Sequence, residues 1–195
     1  YARKVTLDIC DALRVCHENG ICHRDIKPAN ILYGATGDFY LGDFGVSQYT
    51  AAPDATLTSS GTARYAAPEQ LTGCADPRSD LYSLGLVLYE LTNHWRGPFL
   101  PAYPAKITAE DRYNTQCKRL AGGALPPPDN CPPALAAVIL KLCAPDPGDR
   151  YQSVQEVLDA LSPAAVPAMM QKKKPRRLWI GVGLVVVALA VAGLL

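Results

Sequence analysis

Apolar residues in the first 162 positions recur mostly at helical spacing. The first helix is predicted from near Tyr1 to Glu18, where apolar side chains recur four, four and three positions apart and so share one face. These side chains belong to Val5, Ile9, Leu13 and Cys16. The pair Asn19-Gly20 predicts the end of this helix. A second segment, Arg78 to Thr92, is apolar nearly all round, which predicts a central, buried helix.

Two short apolar runs predict a small β-hairpin. Ile31–Tyr33 and Phe39–Leu41 are the two strands, and the turn-forming segment Gly34–Gly37 lies between them. The residues that follow, 46–61, are polar, rich in Ala, Thr and Ser, and lack periodicity. We therefore expect a mobile loop there.

The rest of this region predicts helices separated by irregular chain. Residues 95–133 carry many prolines and look mostly irregular, with a short helix after Thr108, where Asp111 is a weak capping signal. Another helix is predicted over 134–143. Ser153 and Glu156 form the capping box of the last helix, which runs to about Leu161. The predicted fold is mainly α, with one or two small hairpins.

The last 18 residues, Leu178 to Leu195, carry no charge. As a helix they would be about 27 Å long, just enough to cross the hydrocarbon core of a bilayer. The basic cluster Lys172–Arg177 before them predicts a cytoplasmic flank, with Trp179 at the interface. We expect a globular domain over 1–162, a Pro-rich and basic juxtamembrane linker over 163–177, and a transmembrane helix over 178–195. The protein would then be a single-pass protein of the plasma (inner) membrane, with its globular part in the cytoplasm.

The charge of the chain disfavours nucleic-acid binding. There are 19 basic and 18 acidic residues, and five of the basic ones lie in the cluster before the apolar tail. The globular part is therefore acidic, with a net charge near −4. A nucleic-acid patch is the alternative interpretation of the cluster, and so apolar a tail disfavours it.

The seven cysteines predict reduced thiols. They are scattered along the chain, without a C-x-x-C pair or a histidine at metal-binding spacing, and their number is odd. We expect most of them, including Cys16 and Cys143, to be small core hydrophobes. A metal site built from these cysteines is not expected.

Two polar motifs flank the predicted hairpin. Residues 23–32 read His-Arg-Asp-Ile-Lys-Pro-Ala-Asn-Ile-Leu, and residues 42–45 read Gly-Asp-Phe-Gly. They supply a base-like carboxylate, a lysine and two oxygen ligands suited to Mg²⁺, a set that fits phosphoryl transfer to a hydroxyl. The hairpin would hold Asn30 and Asp43 on either side of one metal site. Each tripeptide alone is also typical of capping and turn residues, but the two in this order and at this spacing favour chemistry.

With these motifs, Tyr1 to Ser162 resembles the eukaryotic-like (Hanks-type) Ser/Thr protein kinases of bacteria. Ile26 replaces the leucine of the catalytic-loop pattern H-R-D-L-x-x-x-N, and D-F-G is intact. The resemblance implies the protein kinase-like α+β fold, of which this chain would carry the helical C-terminal lobe. It also implies transfer of the γ-phosphate of ATP to Ser/Thr hydroxyls of protein substrates, with ATP and Mg²⁺ as cofactors.

The resemblance gives individual residues a role. Asp25 would be the general base, and Lys27 would reach the transferring phosphate as a point charge. Asn30 and Asp43 would hold the Mg²⁺ that bridges the nucleotide phosphates. Leu32 resembles the apolar floor beneath the adenine, although taken singly it is simply a strand hydrophobe.

A third motif, Gly-Thr-Ala-Arg-Tyr-Ala-Ala-Pro-Glu at residues 61–69, ends in the A-P-E signature of the same family. The resemblance implies that Thr62 lines the substrate site and hydrogen-bonds toward Asp25 and Lys27, which favours Ser/Thr acceptors. It also implies a buried ion pair between Glu69 and Arg150.

The resemblance implies that Asp80, at the start of the buried helix, braces the backbone of the loop that begins at His23. A plain N-terminal helix carboxylate, favoured by the helix dipole, is an equally consistent interpretation of Asp80.

Arg24 directly precedes the predicted general base. In the family, an arginine at this position accompanies control by phosphorylation of the activation loop. That loop offers four hydroxyls, at Thr56, Thr58, Ser59 and Ser60. We favour Thr56 or Thr58 as the phosphosite that Arg24 would pair with. A solvated loop without modification is the alternative. The resemblance further implies a homodimer for trans-autophosphorylation.

The N-terminal part of the kinase pattern does not occur in this sequence. The family needs a Gly-rich loop, a V-A-I-K-type lysine and its glutamate partner, and the chain has no G-x-G-x-x-G and no strand context around Lys4. We therefore expect either a truncated piece of a membrane-anchored Ser/Thr kinase or a catalytically inactive remnant that acts as a membrane-bound binding or scaffold module. The intact Asp25, Lys27, Asn30 and Asp43 favour the truncated kinase.

Either interpretation predicts little or no ATP-dependent phosphorylation by the isolated chain, because the lysine–glutamate pair is absent from it. A membrane adaptor of another class is a third interpretation. Its partner binding would be unchanged when Asp25 and Asp43 are both neutralised.

Overall fold

Helices dominate the computed structural model, which describes residues 1–45, 48–49 and 64–162. The helices of this part are α1 (Ala2–Glu18), α2 (Pro77–Leu91), α3 (Ala109–Leu120), α4 (Pro133–Leu142) and α5 (Val154–Ala160). The strands are β1 (Ile21–Cys22), β2 (Ile31–Tyr33), β3 (Phe39–Leu41) and β4 (Gln48–Tyr49). Short 3₁₀ turns span Pro28–Asn30, Glu69–Thr72 and Pro147–Asp149. The mainly helical content agrees with the fold predicted from the sequence.

The buried helix α2 is the centre of the fold. Asp76 caps it by accepting a 2.7 Å hydrogen bond from the Arg78 N–H, while Ser79 Oγ accepts one from the Asp76 N–H at 3.2 Å. Every residue of α2 from Ser79 to Glu90 is buried, as the apolar pattern predicted. The helix packs against α1, α4 and β1.

The core joins the apolar faces of four helices. Its most deeply buried side chains are Ile9, Leu13, Leu84, Leu88, Ile139, Leu142 and Val157. On α1 the predicted stripe is buried except at its end, where Cys16 is only half-buried. The expectation that most cysteines lie in the core was wrong. All seven are free thiols, but only Cys10, Cys22 and Cys143 are buried.

The predicted hairpin is present. β2 and β3 pair antiparallel, with Ile31 opposite Leu41 and Tyr33 opposite Phe39. Gly37 in the turn has φ of +88°, a conformation that glycine adopts at little cost. Asp8 of α1 accepts a 2.9 Å hydrogen bond from the Phe39 N–H, which ties the hairpin to the helix.

Three details differ from the predicted elements. The short helix expected after Thr108 is the 12-residue α3, and Thr108 and Asp111 form a complete capping box. At α5 only half of the predicted box forms, since the Glu156 carboxylate accepts from the Gln152 N–H instead of the Ser153 N–H. The segment predicted as loop over 46–61 contains β4, which pairs with β1 through its backbone.

Several predictions concern residues outside those described. They are the rest of the 46–61 loop, the linker over 163–177, the transmembrane helix over 178–195, Thr62, and the phosphosites Thr56 and Thr58. Among the helices of the described part, none combines the length and the apolar character needed to cross a membrane.

Candidate active site

The loop over residues 23–30 brings three of the predicted site residues together at Asp25. Oδ2 of Asp25 accepts hydrogen bonds from Lys27 Nζ at 2.6 Å and from Asn30 Nδ2 at 3.1 Å. Asn30 Nδ2 also donates to the Asp25 backbone carbonyl at 2.8 Å. Asp25 and Asn30 are both buried. The second oxygen, Asp25 Oδ1, accepts no hydrogen bond within the described residues, so it is the atom that can receive a proton.

Asp80 holds the backbone that leads into this loop. Its Oδ2 accepts from the His23 N–H at 2.9 Å, and its Oδ1 accepts from the Arg24 N–H at 2.8 Å. His17 of α1 approaches the same Oδ2 through Nε2, also at 2.9 Å. Asp80 lies in the first turn of α2, so the dipole interpretation also fits its position. Its buried carboxylate nevertheless binds the backbone of the loop, which is the role that the resemblance implied.

His23 connects the loop to the hairpin. Its Nδ1 accepts from the Asp25 N–H at 3.3 Å, which leaves Nε2 to carry the proton and donate to the Gly42 carbonyl at 3.1 Å. Its ring also contacts Phe44, with ring centroids 4.7 Å apart. The imidazole is fully buried, so its contribution is to position the two motifs against each other.

The hairpin sets Asn30 beside the metal-loop motif. The Gly42 N–H donates to the Asn30 carbonyl at 2.9 Å, which continues the β2–β3 ladder by one step. Asp43 follows directly, exposed and with φ of +61°. Its Oδ1 accepts from the Gly45 N–H at 3.3 Å. One carboxylate and one amide oxygen on adjoining strand ends form a hard donor set, and such a set fits Mg²⁺ that shares its remaining positions with water and phosphate.

An ion pair between fully buried Arg150 and largely buried Glu69 fixes the A-P-E segment. Arg150 Nη1 and Nη2 bind Glu69 Oε1 and Oε2 at 2.7 and 2.8 Å, and Ser79 Oγ donates to Oε1 at 2.7 Å. Burial alone would raise the pKa of Glu69. The hydrogen bonds from Arg150 and Ser79 outweigh that effect and hold the pKa below its ordinary value. The pair predicted for Glu69 and Arg150 is therefore present.

Gln70 links this segment to the loop of Asp25. Its Nε2 donates to the Arg24 carbonyl at 2.6 Å, and its Oε1 accepts from the Ala67 N–H at 3.3 Å. Arg24 itself is buried with φ of +66°, a left-handed conformation that costs energy for a residue with a Cβ. The three motifs are thus joined by direct hydrogen bonds, which orient them as one unit.

Leu32 lies on β2 with 55% of its surface exposed. It is therefore not a core residue of the described part, and its side chain is accessible for the adenine contact that the resemblance implies. Thr62, the predicted substrate-site residue, lies outside the described residues.

Sequence reasoning missed His17, Gln70 and Ser79. His17 had a usable signal, since it continues the i+4 stripe of Ile9 and Leu13 and so lies on the face of α1 that packs against the rest of the fold. Gln70 and Ser79 stand beside Glu69 and Asp80 in sequence, but nothing in their spacing distinguishes them from ordinary surface residues.

Comparison with known proteins agrees with this geometry. A family model described as the protein kinase domain matches residues 1–161. The chain is 37% identical over 163 residues to the serine/threonine-protein kinase PknB of Mycobacterium leprae, and 37% identical over 164 residues to PknB of Mycobacterium tuberculosis. Each match covers 80% of this chain and 25% of the relative. A probable serine/threonine-protein kinase of Corynebacterium efficiens is 37% identical over 180 residues, which is 85% of this chain and 26% of that protein.

The chain thus spans about a quarter of the length of the curated relatives it matches. The match nevertheless includes all three motifs and the residues that join them in the structure. On this evidence the chain belongs to the protein kinase family.

Proposed function

We propose that this chain supplies the C-terminal lobe of a membrane-anchored Ser/Thr kinase that transfers the γ-phosphate of ATP to Ser/Thr hydroxyls of proteins. The observation that carries the proposal is the convergence of Lys27 and Asn30 on one oxygen of Asp25, beside the strand end that presents Asp43. These four side chains supply the base, the cation and the metal ligands that phosphoryl transfer needs.

Asp25 would act at the acceptor hydroxyl. Two donors hold its Oδ2, so the carboxylate cannot rotate freely and Oδ1 faces one direction. In that position Oδ1 could accept the hydroxyl proton while the acceptor oxygen bonds to the γ-phosphorus and the bond from that phosphorus to the bridging oxygen breaks, with ADP as the leaving group. Asn30 bonds to both the backbone and the side chain of Asp25 and so fixes the distance between the base and the metal ligands.

Asn30 and Asp43 would hold Mg²⁺, and bound Mg²⁺–ATP would supply the transferred phosphoryl group with its charge partly neutralised. Lys27 contacts Asp25 here and is partly exposed. Its flexible stem would let the ammonium turn to the phosphate while it stays close to the base. Leu32 would contribute the apolar surface beneath the adenine.

The test is phosphorylation of a generic Ser/Thr acceptor by the full-length protein with γ-labelled ATP. Asp25→Asn is expected to lower kcat by at least about 100-fold, since general base and positioning terms of that size are typical. Asp11→Asn is the matched control, because Asp11 is an exposed aspartate of α1 away from the loop. If wild type and Asp25→Asn are equally inactive while partner binding persists, the chain is instead the inactive binding or scaffold module.

We also propose that residues 178–195 anchor the protein in the plasma membrane with the kinase part in the cytoplasm. An apolar run without charge and the preceding basic cluster support this proposal. The full chain should stay in the membrane pellet after carbonate extraction, and a variant without 178–195 should be released. Release of both forms would refute the anchor.

Control by phosphorylation is a further part of the proposal, with Thr56 or Thr58 as acceptor and Arg24 as the partner of the phosphate. Mixing wild type with tagged Asp25→Asn and mapping phosphate on the tagged protein tests this together with the homodimer. Phosphate at residue 56 or 58 of the tagged protein is expected. Phosphate only on the wild type would exclude the trans reaction.

A further inference from the structure

A cavity of about 120 Å³ lies beside the A-P-E motif, away from Asp25. One wall comes from Arg64, three residues before Ala67, and another from the C-terminal half of α2 at Leu86 and Glu90. The segment Gly97–Leu100 and helix α3 complete it. A space of this size holds a few waters or one amino-acid side chain, so it suits a single residue of a bound peptide.

The single carboxylate in the cavity wall is already occupied. Glu90 Oε1 accepts from Arg64 Nε at 3.1 Å and from Arg64 Nη2 at 2.6 Å, and Oε2 accepts from the Tyr65 hydroxyl at 2.8 Å. Gly97 packs so closely that a Cβ there would lie 3.3 Å from Glu90 Oε1. Glu90 is therefore not free to bind a cationic side chain that enters the cavity.

The remaining charge of the wall is positive. Arg112 is exposed on α3, and its side chain makes no hydrogen bond or ion pair in the described part of the chain. Arg119 is buried in the inner wall, where its Nη1 donates to the Ala66 carbonyl and to the Tyr82 hydroxyl. Three guanidinium groups thus surround one neutralised carboxylate.

The polar groups of the wall include an unsatisfied one. The hydroxyl of Thr115 on α3 is buried without a hydrogen-bond partner among the described residues. Buried polar atoms are nearly always paired, so an isolated one next to a positive cavity indicates a missing acceptor. A carboxylate oxygen would satisfy it.

We propose that this cavity selects an acidic side chain of the acceptor protein, with Arg64 and Arg112 as specificity-determining residues. The inference rests on the proposed kinase function, which makes Thr62 part of the substrate site. Arg64 follows Thr62 by two residues, and two residues of chain span at most about 7 Å. A residue close in sequence to the phosphorylated Ser or Thr can therefore reach the cavity.

The test uses the full-length protein and matched fluorescent peptides that differ only by Glu, Gln or Lys at one position near the acceptor serine. Peptide Kd from anisotropy and kcat/KM from phosphate transfer are both measured. At one position we expect the Glu peptide to be favoured about tenfold, since one charge-assisted contact contributes on that scale. Arg112→Glu should reverse the preference in favour of Lys, whereas Arg14→Glu, the same change at an exposed site on α1, should leave it unchanged.

The Arg64→Gln variant provides a second, independent outcome. It removes the cation that neutralises Glu90, so the cavity should gain affinity for a Lys peptide at the same position. A preference below twofold at every position, or one that Arg112→Glu and Arg64→Gln leave unchanged, overturns the proposal. If no peptide is phosphorylated at all, the proposed kinase function fails, while the anisotropy measurements still decide the charge preference.

Discussion

Arg150→Met is expected to remove a large part of the stability of this fold. The Arg150 side chain is fully buried, and its five N–H donors all have acceptors. Two donors bind the Glu69 carboxylate, and three bind backbone carbonyls, those of Arg78, Ala144 and Pro145. Methionine can fill much of the space beside the Tyr82 ring but supplies no donor.

The size of this loss of stability follows from the unpaired Glu69 carboxylate that the substitution leaves in the fold. Among the described side chains, the Ser79 hydroxyl would be the remaining donor to the Glu69 carboxylate, and breaking a buried pair from one side typically costs about 3–5 kcal/mol. Whole domains are stable by only about 5–15 kcal/mol, so Arg150→Met should be close to unfolding at 25 °C. Glu69→Gln keeps one acceptor oxygen and should cost less, about 1.5–3 kcal/mol.

Urea denaturation followed by far-UV circular dichroism measures these free energies of unfolding. Arg14→Gln on α1 serves as the control and should stay within about 0.5 kcal/mol of wild type. The double variant Glu69→Gln/Arg150→Met should cost less than the sum of the single changes, because neither charge is then left alone. An Arg150→Met variant as stable as the control would refute the reasoning.

The same pair predicts a pH dependence. Its hydrogen bonds hold the pKa of Glu69 below the ordinary value of 4.5. A carboxyl with a depressed folded pKa stabilises fully above its unfolded pKa and loses that contribution as the pH falls through the folded pKa. Below pH 4.5 the wild-type urea midpoint should therefore fall more steeply than that of Glu69→Gln, and parallel curves would contradict the assignment.

Three further predictions concern the core. Gly85→Ala should destabilise by about 1–3 kcal/mol, because a Cβ would lie 2.7 Å from Cys143 Sγ, and adding Cys143→Ala should restore part of the loss in urea denaturation. Asp80→Asn should speed amide exchange at residues 23 and 24 in mass-spectrometric hydrogen exchange, since one amide oxygen cannot replace two carboxylate acceptors; unchanged exchange would refute this. Burial raises the pKa of Cys10 and of Cys143 to about 12, so both thiols should resist alkylation at pH 8 until the chain unfolds, whereas exposed Cys74 reacts at once.

The helices and the hairpin could be predicted because their signals are local. Spacing along α1, the apolar run of α2 and the Thr108–Asp111 cap each involve residues a few positions apart. The pairing of β1 with β4 could not be predicted, since a strand of two residues is too short to show an alternation of apolar and polar positions. The exposed Cys74 was also beyond reach, because a lone cysteine carries no information on which face it occupies.

In the candidate site, too, local features could be predicted and contacts between distant segments could not. The motifs identified Asp25, Asn30 and Asp43 directly, and the hairpin between them predicted their proximity. The contact of His17 with Asp80 joins residues 63 positions apart in different helices, and only the packing of α1 on α2 creates it. The cavity wall likewise combines four separate segments, so its charge could not be predicted from the sequence.

The hydrogen bonds from residues 23 and 24 to Asp80 attach the loop over residues 23–30 to the interior of the domain. Because that carboxylate stands on the most enclosed helix, the loop cannot be loosened by a small local event without disturbing α2 itself. Under the proposed kinase function, substitutions in the core of α2 should therefore lower activity before they unfold the protein. A rearrangement confined to residues 23 and 24 would first have to break both of their hydrogen bonds to Asp80.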